Sequence, residues 1–287
     1  MRSQRKHGLD PGRKDRPEYL TNFEIETRKR ELGRVVTIAE SKLDQLFAVV
    51  GGSGCCVLLT DRDGIVIDHR YQMADEHAFR AWGLGAGADW SESAQGTNGI
   101  GTCLAEGREL IVHRDQHFMA TNIEMSCIDA PVYGPDGEIV AALDVSSARA
   151  DQTEALNGLI AELVRQAARN IEADAFQDKF SDARVLVVSD SSDGVSLLAT
   201  NADDIVIGAT RAARRAFDLQ SFGDLKPIPL GDLIGRDSAS TGFARAQSAA
   251  ITRALIRADH NVSLAARELG VSRATLYRRM KRFGIKG

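Results

Sequence analysis

The amino-acid sequence predicts an α+β fold that ends in a small all-helical segment. Two pairs of apolar runs each flank a turn containing Asp-Gly, which is typical of β-hairpins. The segments around these pairs place apolar residues three or four positions apart, which indicates amphipathic helices. The last 44 residues keep the helical spacing and contain no strand pattern. We therefore predict an antiparallel sheet with helices, followed by a separate helical domain.

The N-terminal half supplies the sheet and its helices. Residues 1–20 are polar, contain two of the six prolines and lack periodicity, so they are predicted to be a disordered tail. Residues 21–50 have helical spacing, which predicts one long helix or two shorter ones. CCVLLT and IVIDHR flank DRDG, and CIDAPVY and EIVAALDVS flank GPDG, which predicts four strands. Helices are also expected over residues 98–106 and 151–178, so that the unit spans residues 21–178.

A second block, a linker and a terminal domain follow. VLVVSD, VSLLATNADDIVIGAT and RAARRAFDL predict strands and one short helix within residues 179–232. These elements are few, so the block is either a reduced domain or a connector. Residues 233–243 are rich in Gly and Ser and are predicted to be a linker. The helical domain is placed at residues 244–287.

The formal net charge of −4 conceals a strong asymmetry along the chain. Residues 244–287 contain ten Arg or Lys against Asp259 and Glu268, a net charge of +8. The preceding 243 residues therefore carry −12. A basic segment beside an acidic body favours nucleic acid as a partner, although a basic surface on its own also serves solubility.

The terminal domain has the pattern helix, turn, helix. A first helix over residues 244–259 is followed by Ser263, which is predicted to cap a short second helix. Gly270 provides the positive φ that a tight turn requires, and Ser272 is predicted to cap the final helix. The residues predicted to face inward from the final helix are Leu276, Met280 and Phe283.

The stretch NVSLAARELGVSRATLYRRMKRFGI closely resembles the C-terminal helix-turn-helix of the Fis family. The resemblance implies binding of double-stranded DNA, with base contacts from the first turn of the last helix and phosphate or base contacts further along it. The alternative is a three-helix bundle with a basic surface and no DNA partner. The predicted DNA-binding residues are Ser272, Arg273, Thr275, Arg278, Arg279 and Arg282.

Fis-type relatives dimerise through the helix that precedes the motif. The apolar stripe of Ile251, Ala254, Leu255 and Ala258 therefore has a second interpretation, as a seam between two subunits. A homodimer would favour a palindromic DNA site, because the DNA must match the two-fold axis of the protein.

The segments DWSESAQGTNGIGTCLAEGRELIVHRDQHF and SCIDAPVYGPDGEIVAALDVSS resemble the GAF domain of enhancer-binding activators of the acetoin-catabolism type. The resemblance implies an antiparallel sheet with helices on one side and a pocket on the other. Domains of this kind bind a small-molecule effector or serve as dimerisation modules, and the sequence leaves both alternatives open.

Four polar residues near the run GTNGIG are the predicted ligand-binding residues, because its glycines let the backbone approach a ligand closely. The local alternative is that Asn98 caps a helix, Thr97 closes the turn and His113 bonds a carbonyl group. His113, His117 and Cys127 have no spacing that requires a metal or haem, so no metal and no cofactor are predicted. The predicted ligand-binding residues are Thr97, Asn98, Thr102 and His113.

The run LLATNADDIVIGATRAARRAFDL is similar to part of a PAS domain. Enhancer-binding activators place a large ATPase between such a block and the Fis-like segment. The sequence contains no GxxxxGK[ST] phosphate loop. We therefore expect neither ATP hydrolysis nor remodelling of the alternative sigma factor's polymerase by this chain.

The leading hypothesis is a sequence-specific DNA-binding transcription regulator whose GAF domain senses a metabolite or mediates dimerisation, with RNA polymerase as a further partner. The alternative is an accessory protein that pairs with a full-length activator and modulates it. An enzyme is not predicted, because the sequence has no nucleophile elbow, HExxH motif or phosphate loop. Without a signal peptide or an apolar run of about 18 residues, a cytoplasmic location away from the membrane is expected.

Overall fold

The chain divides into two compact units, Met1–Leu233 and Ile234–Gly287, and each is described by itself. None of the helices in the described residues is long and apolar enough to span a membrane. The computed structural model describes residues 2–12, 18–147, 153–191, 194–234 and 242–285.

The elements of the described residues alternate between helices and strands in the first unit and are helical in the second. The helices are α1 Arg2–His7, α2 Asn22–Leu32, α3 Arg34–Val50, α4 Glu76–Ala81, α5 Glu92–Gln95, α6 Gly99–Glu106, α7 Glu154–Lys179, α8 Arg211–Ala216, α9 Leu230–Leu233, α10 Gly242–Arg257, α11 Val262–Glu268 and α12 Arg273–Phe283. The strands are β1 Cys55–Thr60, β2 Val66–Arg70, β3 Leu110–His113, β4 Ser126–Tyr133, β5 Ile139–Ser147, β6 Arg184–Ser191, β7 Gly194–Thr200, β8 Ile205–Ala209 and β9 Ile228–Pro229.

The main sheet is antiparallel and has five strands in the order β2-β1-β5-β4-β3. The four strands predicted around the two Asp-Gly turns are β1, β2, β4 and β5, so that prediction is confirmed. No pattern in the sequence predicted β3, which has only four residues. Its pairing with β4 ends at Leu110 opposite Asp129. Residues 130–133 of β4 therefore have no strand partner on that side within the described chain.

Both faces of the main sheet are covered. Ile128 and Leu143 belong to a core cluster with residues of α3 and α7. Leu58 and Cys127 belong to a second cluster on the opposite face, together with Trp90 and residues of α6. Because successive strand residues point to opposite faces, neighbours in β4 are divided between these two layers. The sheet is thus the middle of three layers.

The helical segment before the sheet is interrupted by one glycine. Gly33 has a φ of +58° between α2 and α3, a conformation that side chains other than glycine rarely adopt. Residues 21–50 therefore form two helices, and the two-helix alternative is confirmed.

Residues 2–7 form α1, which corrects the prediction of a disordered tail for this part of the chain. Ser3 is buried, and its hydroxyl accepts a hydrogen bond from the Thr97 backbone N–H at 3.1 Å. A polar helix held by a buried hydroxyl leaves no apolar periodicity in the sequence, which explains why the pattern missed it.

The helix α7 packs against two sheets. The helix predicted over residues 151–178 is observed from Glu154 to Lys179, and residues 151–152 lie outside the described residues. Its first half packs Ile160 and Val164 into the core against the main sheet. Its end packs Phe176 against Leu197 of a second antiparallel sheet, whose strand order is β6-β7-β8-β9. One continuous helix therefore joins the two sheets of the first unit.

The helices α10, α11 and α12 share one small core. Ile251, Ala254 and Leu255 are at most 2% exposed and pack with Ala265 and Leu276 of the two later helices. The apolar stripe of α10 is therefore buried within its own unit. This corrects its interpretation as a seam between subunits.

The helix α11 begins earlier than the sequence predicts, because its cap is Asn261 and not Ser263. The Asn261 Oδ1 atom accepts hydrogen bonds from the backbone N–H groups of Ser263 and Leu264. Asp259 and His260 have positive φ angles of 49° and 59°, which end α10 two residues before its predicted end. Asn261 is then left in the extended conformation that a cap requires.

Asn261→Ala is expected to lower the free energy of unfolding of the helical unit by about 1 kcal/mol, because two backbone N–H groups lose their acceptor. Ser263→Ala is the matched control and should change it by less than about 0.5 kcal/mol. Urea unfolding, monitored by hydrogen exchange of the backbone amides in α10 to α12, measures the stability of both variants. Equal losses in the two variants would show that the cap is misassigned.

Candidate DNA-binding and ligand-binding sites

The outer face of α12 is basic and accessible. Leu276 and Met280 are buried in the core of the helical unit and Phe283 packs against it, which confirms the predicted inward face. The helix RATLYRRMKRF contains five basic residues and no acidic one. The predicted DNA-binding side chains lie outside the core: Ser272, Arg273, Arg278 and Arg282 are exposed, and Thr275 and Arg279 are half-buried.

The start of α12 is fixed by a pair of hydroxyl groups. The Ser272 hydroxyl accepts a hydrogen bond from the Thr275 backbone N–H at 3.2 Å, and the two hydroxyl oxygens are 2.9 Å apart. Gly270 has a φ of +64° in the preceding turn. The predicted cap and the predicted turn are therefore confirmed. The hydroxyls hold the first turn in shape at the surface, where phosphate oxygens are acceptors for such groups.

Tyr277 is a surface residue of α12 that the sequence analysis missed. Its side chain is 47% exposed, and the Arg273 guanidinium carbon lies 5.5 Å from its ring centroid. Hydrophobic periodicity assigns aromatic residues to cores by default. The available signal was its position next to Leu276, off the stripe that Leu276 and Met280 define.

Asn98 has a local role in the first unit. Its Oδ1 atom accepts a hydrogen bond from the Gly101 backbone N–H at 2.9 Å, and its Nδ2 atom donates to the Gly96 carbonyl at 2.8 Å. A Cβ atom at Gly99 would collide with the Asp129 carboxyl group. The glycines of GTNGIG therefore let α6 approach the sheet closely.

Thr97 contacts the N-terminal helix. Its hydroxyl oxygen lies 3.2 Å from the Ser3 hydroxyl oxygen, and its carbonyl accepts a hydrogen bond from the Phe118 backbone N–H. Thr102 differs, because its Oγ1 atom is buried and has no hydrogen-bond partner among the described residues. A buried hydroxyl without a partner is costly, which marks Thr102 as a group able to receive a ligand or water.

His113 lies on the other side of the sheet from these residues. It is the register partner of Ser126, its Nδ1 atom is 2.5 Å from the Ser126 hydroxyl, and Asn157 of α7 approaches the same atom at 3.4 Å. Cys127, the next residue of β4, packs with α6. The structure therefore brings Thr97, Asn98 and Thr102 to one side of the sheet and places His113 on the α7 side.

Two carboxyl groups face each other inside the sheet beneath α6. Asp129 of β4 and Asp144 of β5 are register partners, and both are at most 1% exposed. Burial raises the pKa of Asp144 to about 7. The pKa of Asp129 also lies well above its ordinary value, because the group is buried and faces the Asp144 carboxylate. The pair was not predicted, because each aspartate on its own resembles an ordinary polar residue of a strand, and only the register of β4 and β5 brings the two together.

A chain of buried polar contacts continues from this pair. The Ser146 hydroxyl lies 3.0 Å from Asp144 Oδ1 and 3.2 Å from the Cys127 sulfur, and His117 Nε2 lies 3.3 Å from the same sulfur. Burial lowers the pKa of His117 and raises that of Cys127, which favours the neutral forms of both. In the described ranges no group of three or more His, Cys, Asp or Glu residues is arranged to hold a metal ion.

Comparisons with known protein families find a match in each of the two units. Residues 35–172 match the family described as GAF domain. Residues 243–283 match the family described as bacterial regulatory protein, Fis family. The chain therefore combines a GAF domain with a C-terminal Fis-type helix-turn-helix.

Known regulators resemble the chain over part of their length. It is 37% identical over 166 residues to the acetoin catabolism regulatory protein of Cupriavidus necator, covering 58% of this chain and 25% of that protein. It is 24% identical over 169 residues to the acetoin dehydrogenase operon transcriptional activator AcoR of Bacillus subtilis, covering 59% and 28%. The chain thus spans about a quarter of these relatives.

A solved structure shares the fold of most of the chain. It is a chain from the crystal structure of the E. coli DhaR(N)-DhaL complex, with a TM-score of 0.54 and 13% sequence identity. The similarity covers 76% of this chain and 74% of that one, more than the matched GAF residues alone.

Proposed function

We propose that the chain is a sequence-specific DNA-binding transcription regulator that inserts α12 into the major groove. The observation that carries this proposal is the basic, acid-free outer face of α12 on a helix whose other face is packed in a core. A helix of this width fits a groove about 12 Å wide. The charge of +8 on residues 244–287 attracts DNA, whereas the −12 of the preceding residues repels it.

The residues of α12 have different proposed roles. Arg273 lies in the first turn, where a guanidinium group can bond a guanine with two hydrogen bonds. Tyr277, which stacks near Arg273, is added to the contact surface. Ser272 and Thr275 hold the first turn at the DNA, and their hydroxyls also reach phosphates. The proposed phosphate contacts further along the helix are Arg278, Arg279 and Arg282.

The GAF domain is proposed to bind a small-molecule effector through the side of the sheet that α6 covers. The buried, unpartnered hydroxyl of Thr102 supports this location, with Thr97 and Asn98 as neighbouring residues. His113, the fourth predicted residue, is on the other side of the sheet and is proposed to act only through the sheet. The name of the Cupriavidus necator relative connects that protein with acetoin catabolism, which supports a metabolite as the effector class.

A homodimer is proposed as the DNA-binding form, and RNA polymerase as a further partner. The second candidate function is an accessory protein that pairs with a longer regulator and modulates it. The identity of 37% over 166 residues with a relative of which the chain covers 25% favours this second candidate, because similar surfaces permit mixed dimers.

Selection of bound sequences from random duplex DNA by the full chain tests the primary proposal. An enriched sequence is expected, and its affinity should fall at least about ten-fold between 50 and 200 mM salt as phosphate contacts release counterions. A palindromic sequence would support the dimer. DNA binding that requires an added longer regulator would favour the accessory function. No binding at low salt, either alone or with that regulator, would end both DNA-based proposals.

Arg273→Ala is expected to lower affinity for the selected site by about 1–3 kcal/mol and to leave affinity for random DNA nearly unchanged. Arg282→Ala is the matched control, because it removes the same charge near the end of the helix by the backbone. It should weaken binding to all sequences alike. Competition titrations on selected and random duplexes measure both, and equal losses for both variants on both duplexes would refute the assignment of Arg273.

A further inference from the structure

The helices α3 and α7 lie side by side on one face of the main sheet and run in opposite directions. Arg34 at the start of α3 pairs with Asp178 near the end of α7 at 2.6 Å, whereas Val49 near the end of α3 lines a groove with Leu163 of α7. The inner residues of both helices belong to one core cluster against the sheet. Their outer residues form one surface, which we call the α3/α7 face: Gln45, Val49, Leu159, Leu163, Gln166 and Asn170.

Three large apolar side chains of the α3/α7 face are open to solvent. Leu159 is 69% exposed, Val49 is 63% exposed and Leu163 is 37% exposed. Leu159 begins a stripe along α7 that continues at helical spacing through Leu163 to Asn170. A groove of about 140 Å³ lies between this stripe and α3. Apolar ridges beside a groove are the form into which further helices pack, and exposed apolar patches mark interaction surfaces.

The α3/α7 face contains no charged residue, although charged residues make up 26% of the chain. Of the described residues that line the groove, Lys42 is charged, and it pairs with Asp174 at 2.9 Å. Beside the stripe, Glu162 pairs with Arg165 of the same helix. By contrast, α2 also lies at the surface and has six charged residues among its eleven. Depletion of charge around exposed apolar side chains is typical of the centre of a protein interface.

The neutrality of this face favours a second copy of the chain as the partner. Around a two-fold axis, a residue near the axis meets its own copy, so a charged residue there would meet a like charge. Residues 1–243 carry a net charge of −12, so two copies repel each other except where a face lacks charge. A different partner that is selected by charge would need an opposite charge to meet, and Lys42 is already paired within the chain.

The polar residues of the face are also self-complementary. Gln45, Gln166 and Asn170 each carry an amide that has both donor and acceptor atoms, so each can bond the same residue type in a second copy. Gln166 Nε2 donates a hydrogen bond to Asn170 Oδ1 at 2.9 Å, which aligns these two amides along α7. A two-fold interface forms each contact twice, so the ridge of either copy can enter the groove of the other.

We infer that the α3/α7 face binds the α3/α7 face of a second copy, so that both helices of both chains form a four-helix bundle around a two-fold axis. The inference rests on the homodimer proposed above and deepens it, because it names the surface through which the copies pair. The helix α7 continues to the second sheet, where Phe176 packs against Leu197. The interface therefore fixes a helix that supports both sheets of the first unit.

Sedimentation velocity of the full chain over a dilution series, without DNA, tests the inference. The wild type is expected to sediment as a dimer. Leu159→Glu should raise the dissociation constant of the dimer at least about ten-fold, because it places like charges in one interface. Met73→Glu is the matched control, since Met73 is 88% exposed between β2 and α4 of the same unit. It should leave the dissociation constant unchanged.

Leu159→Lys is the second variant, and it should weaken the dimer by the same repulsion between like charges. An equal mixture of the Leu159→Glu and Leu159→Lys chains should recover the dimer, because opposite charges then share one interface. This recovery requires both variants to be folded, so it separates loss of the interface from loss of the fold. A mixture that stays monomeric would contradict the inference.

The other contradicting outcomes are distinct from failure of the DNA-binding proposal, because the mass is measured without DNA. A dimer that is equally stable in the wild type and in Leu159→Glu would keep the homodimer and overturn its assignment to this face. A monomeric wild type would overturn both the homodimer and this inference. A wild type that pairs only with a longer regulator would assign the face to that partner and would also overturn it.

Discussion

Leu276→Ala is expected to unfold the helical unit and abolish DNA binding while the first unit stays folded. Leu276 is fully buried at the centre of a core that is made from only three helices. Removing a buried leucine side chain costs about 2–5 kcal/mol, through lost burial and the cavity that remains. A core of this size has little stability in reserve.

Leu264→Ala is the matched control for this substitution. Leu264 lies in α11 of the same unit and is 53% exposed, so its truncation should cost less than about 1 kcal/mol. Hydrogen exchange of the full chain separates the two units, since protection should vanish in α10 to α12 and persist in the main sheet. Loss of protection in both units, or equal effects of the two variants, would contradict the division into independent units.

Each element that the sequence predicted has a recognisable pattern within its own few residues. The strands around the two Asp-Gly turns, the helix α7 and the cap at Ser272 depend on periodicity and turn chemistry within a few residues. The strand β3 escaped prediction because four residues are too few for a pattern, and its existence depends on pairing with β4. The buried hydroxyl of Ser3 escaped for the same reason, because its partner Thr97 is 94 residues away.

The candidate sites likewise differ in whether a local sequence pattern or a long-range contact defines them. The outer face of α12 was predictable, because one helix defines which residues share a face. The structure places only three of the four predicted ligand-binding residues on one side of the sheet, and their role in binding stays a prediction. His113 lies on the α7 side because β3 pairs it with Ser126, and no local pattern contains that register. The cap formed by Asn98 was the local alternative, and it is what the hydrogen bonds support.

A cleft lined by arginines of α7 and α8 shows most clearly what the sequence alone could not predict. The run RAARRAFDL suggested a fragment of a PAS domain and nothing more. Arg211 and Arg215 of this run meet Arg165 and Arg169 because α7 continues past the main sheet and carries the second sheet with it. Arg165 and Arg169 precede Arg211 and Arg215 by 46 residues, so the four line one cleft only through that tertiary arrangement.

Raising the pH from 5 to 8 is expected to destabilise the first unit, and Asp144→Asn is expected to remove much of this dependence. The pKa of Asp144 is raised to about 7 and that of Asp129 is raised as well, because both groups are buried beside each other. Above pH 4 the unfolded chain releases these protons while the folded chain keeps them. The folded state therefore binds more protons, and the free energy of unfolding falls as pH rises towards 7.

The expected loss in the free energy of unfolding depends on the difference between the pKa of Asp144 in the folded chain and its pKa in the unfolded chain. About two pH units between pH 5 and pH 7, at 1.36 kcal/mol each, give a loss on the order of 3 kcal/mol for one such group. Glu172, whose pKa is also raised to about 7, acts in the same direction. The quantity to compare is therefore the difference in the free energy of unfolding between the variant and the wild type. Glu172 is present in both proteins, so its contribution cancels.

Asp144→Asn keeps the shape of the side chain and supplies an amide that can donate a hydrogen bond to Asp129. The variant should gain stability over the wild type at pH 8 and lose that advantage at pH 5. Asp203→Asn, at an exposed carboxylate in the β7–β8 turn, is the matched control and should follow the wild-type profile. Urea unfolding at pH 5, 6, 7 and 8 measures all three proteins. If the free energy of unfolding varied with pH in the same way for Asp144→Asn and the wild type, the pair would not hold its protons in the folded state. The helix α6 would then cover an ionised pair that needs a cation or a water as partner.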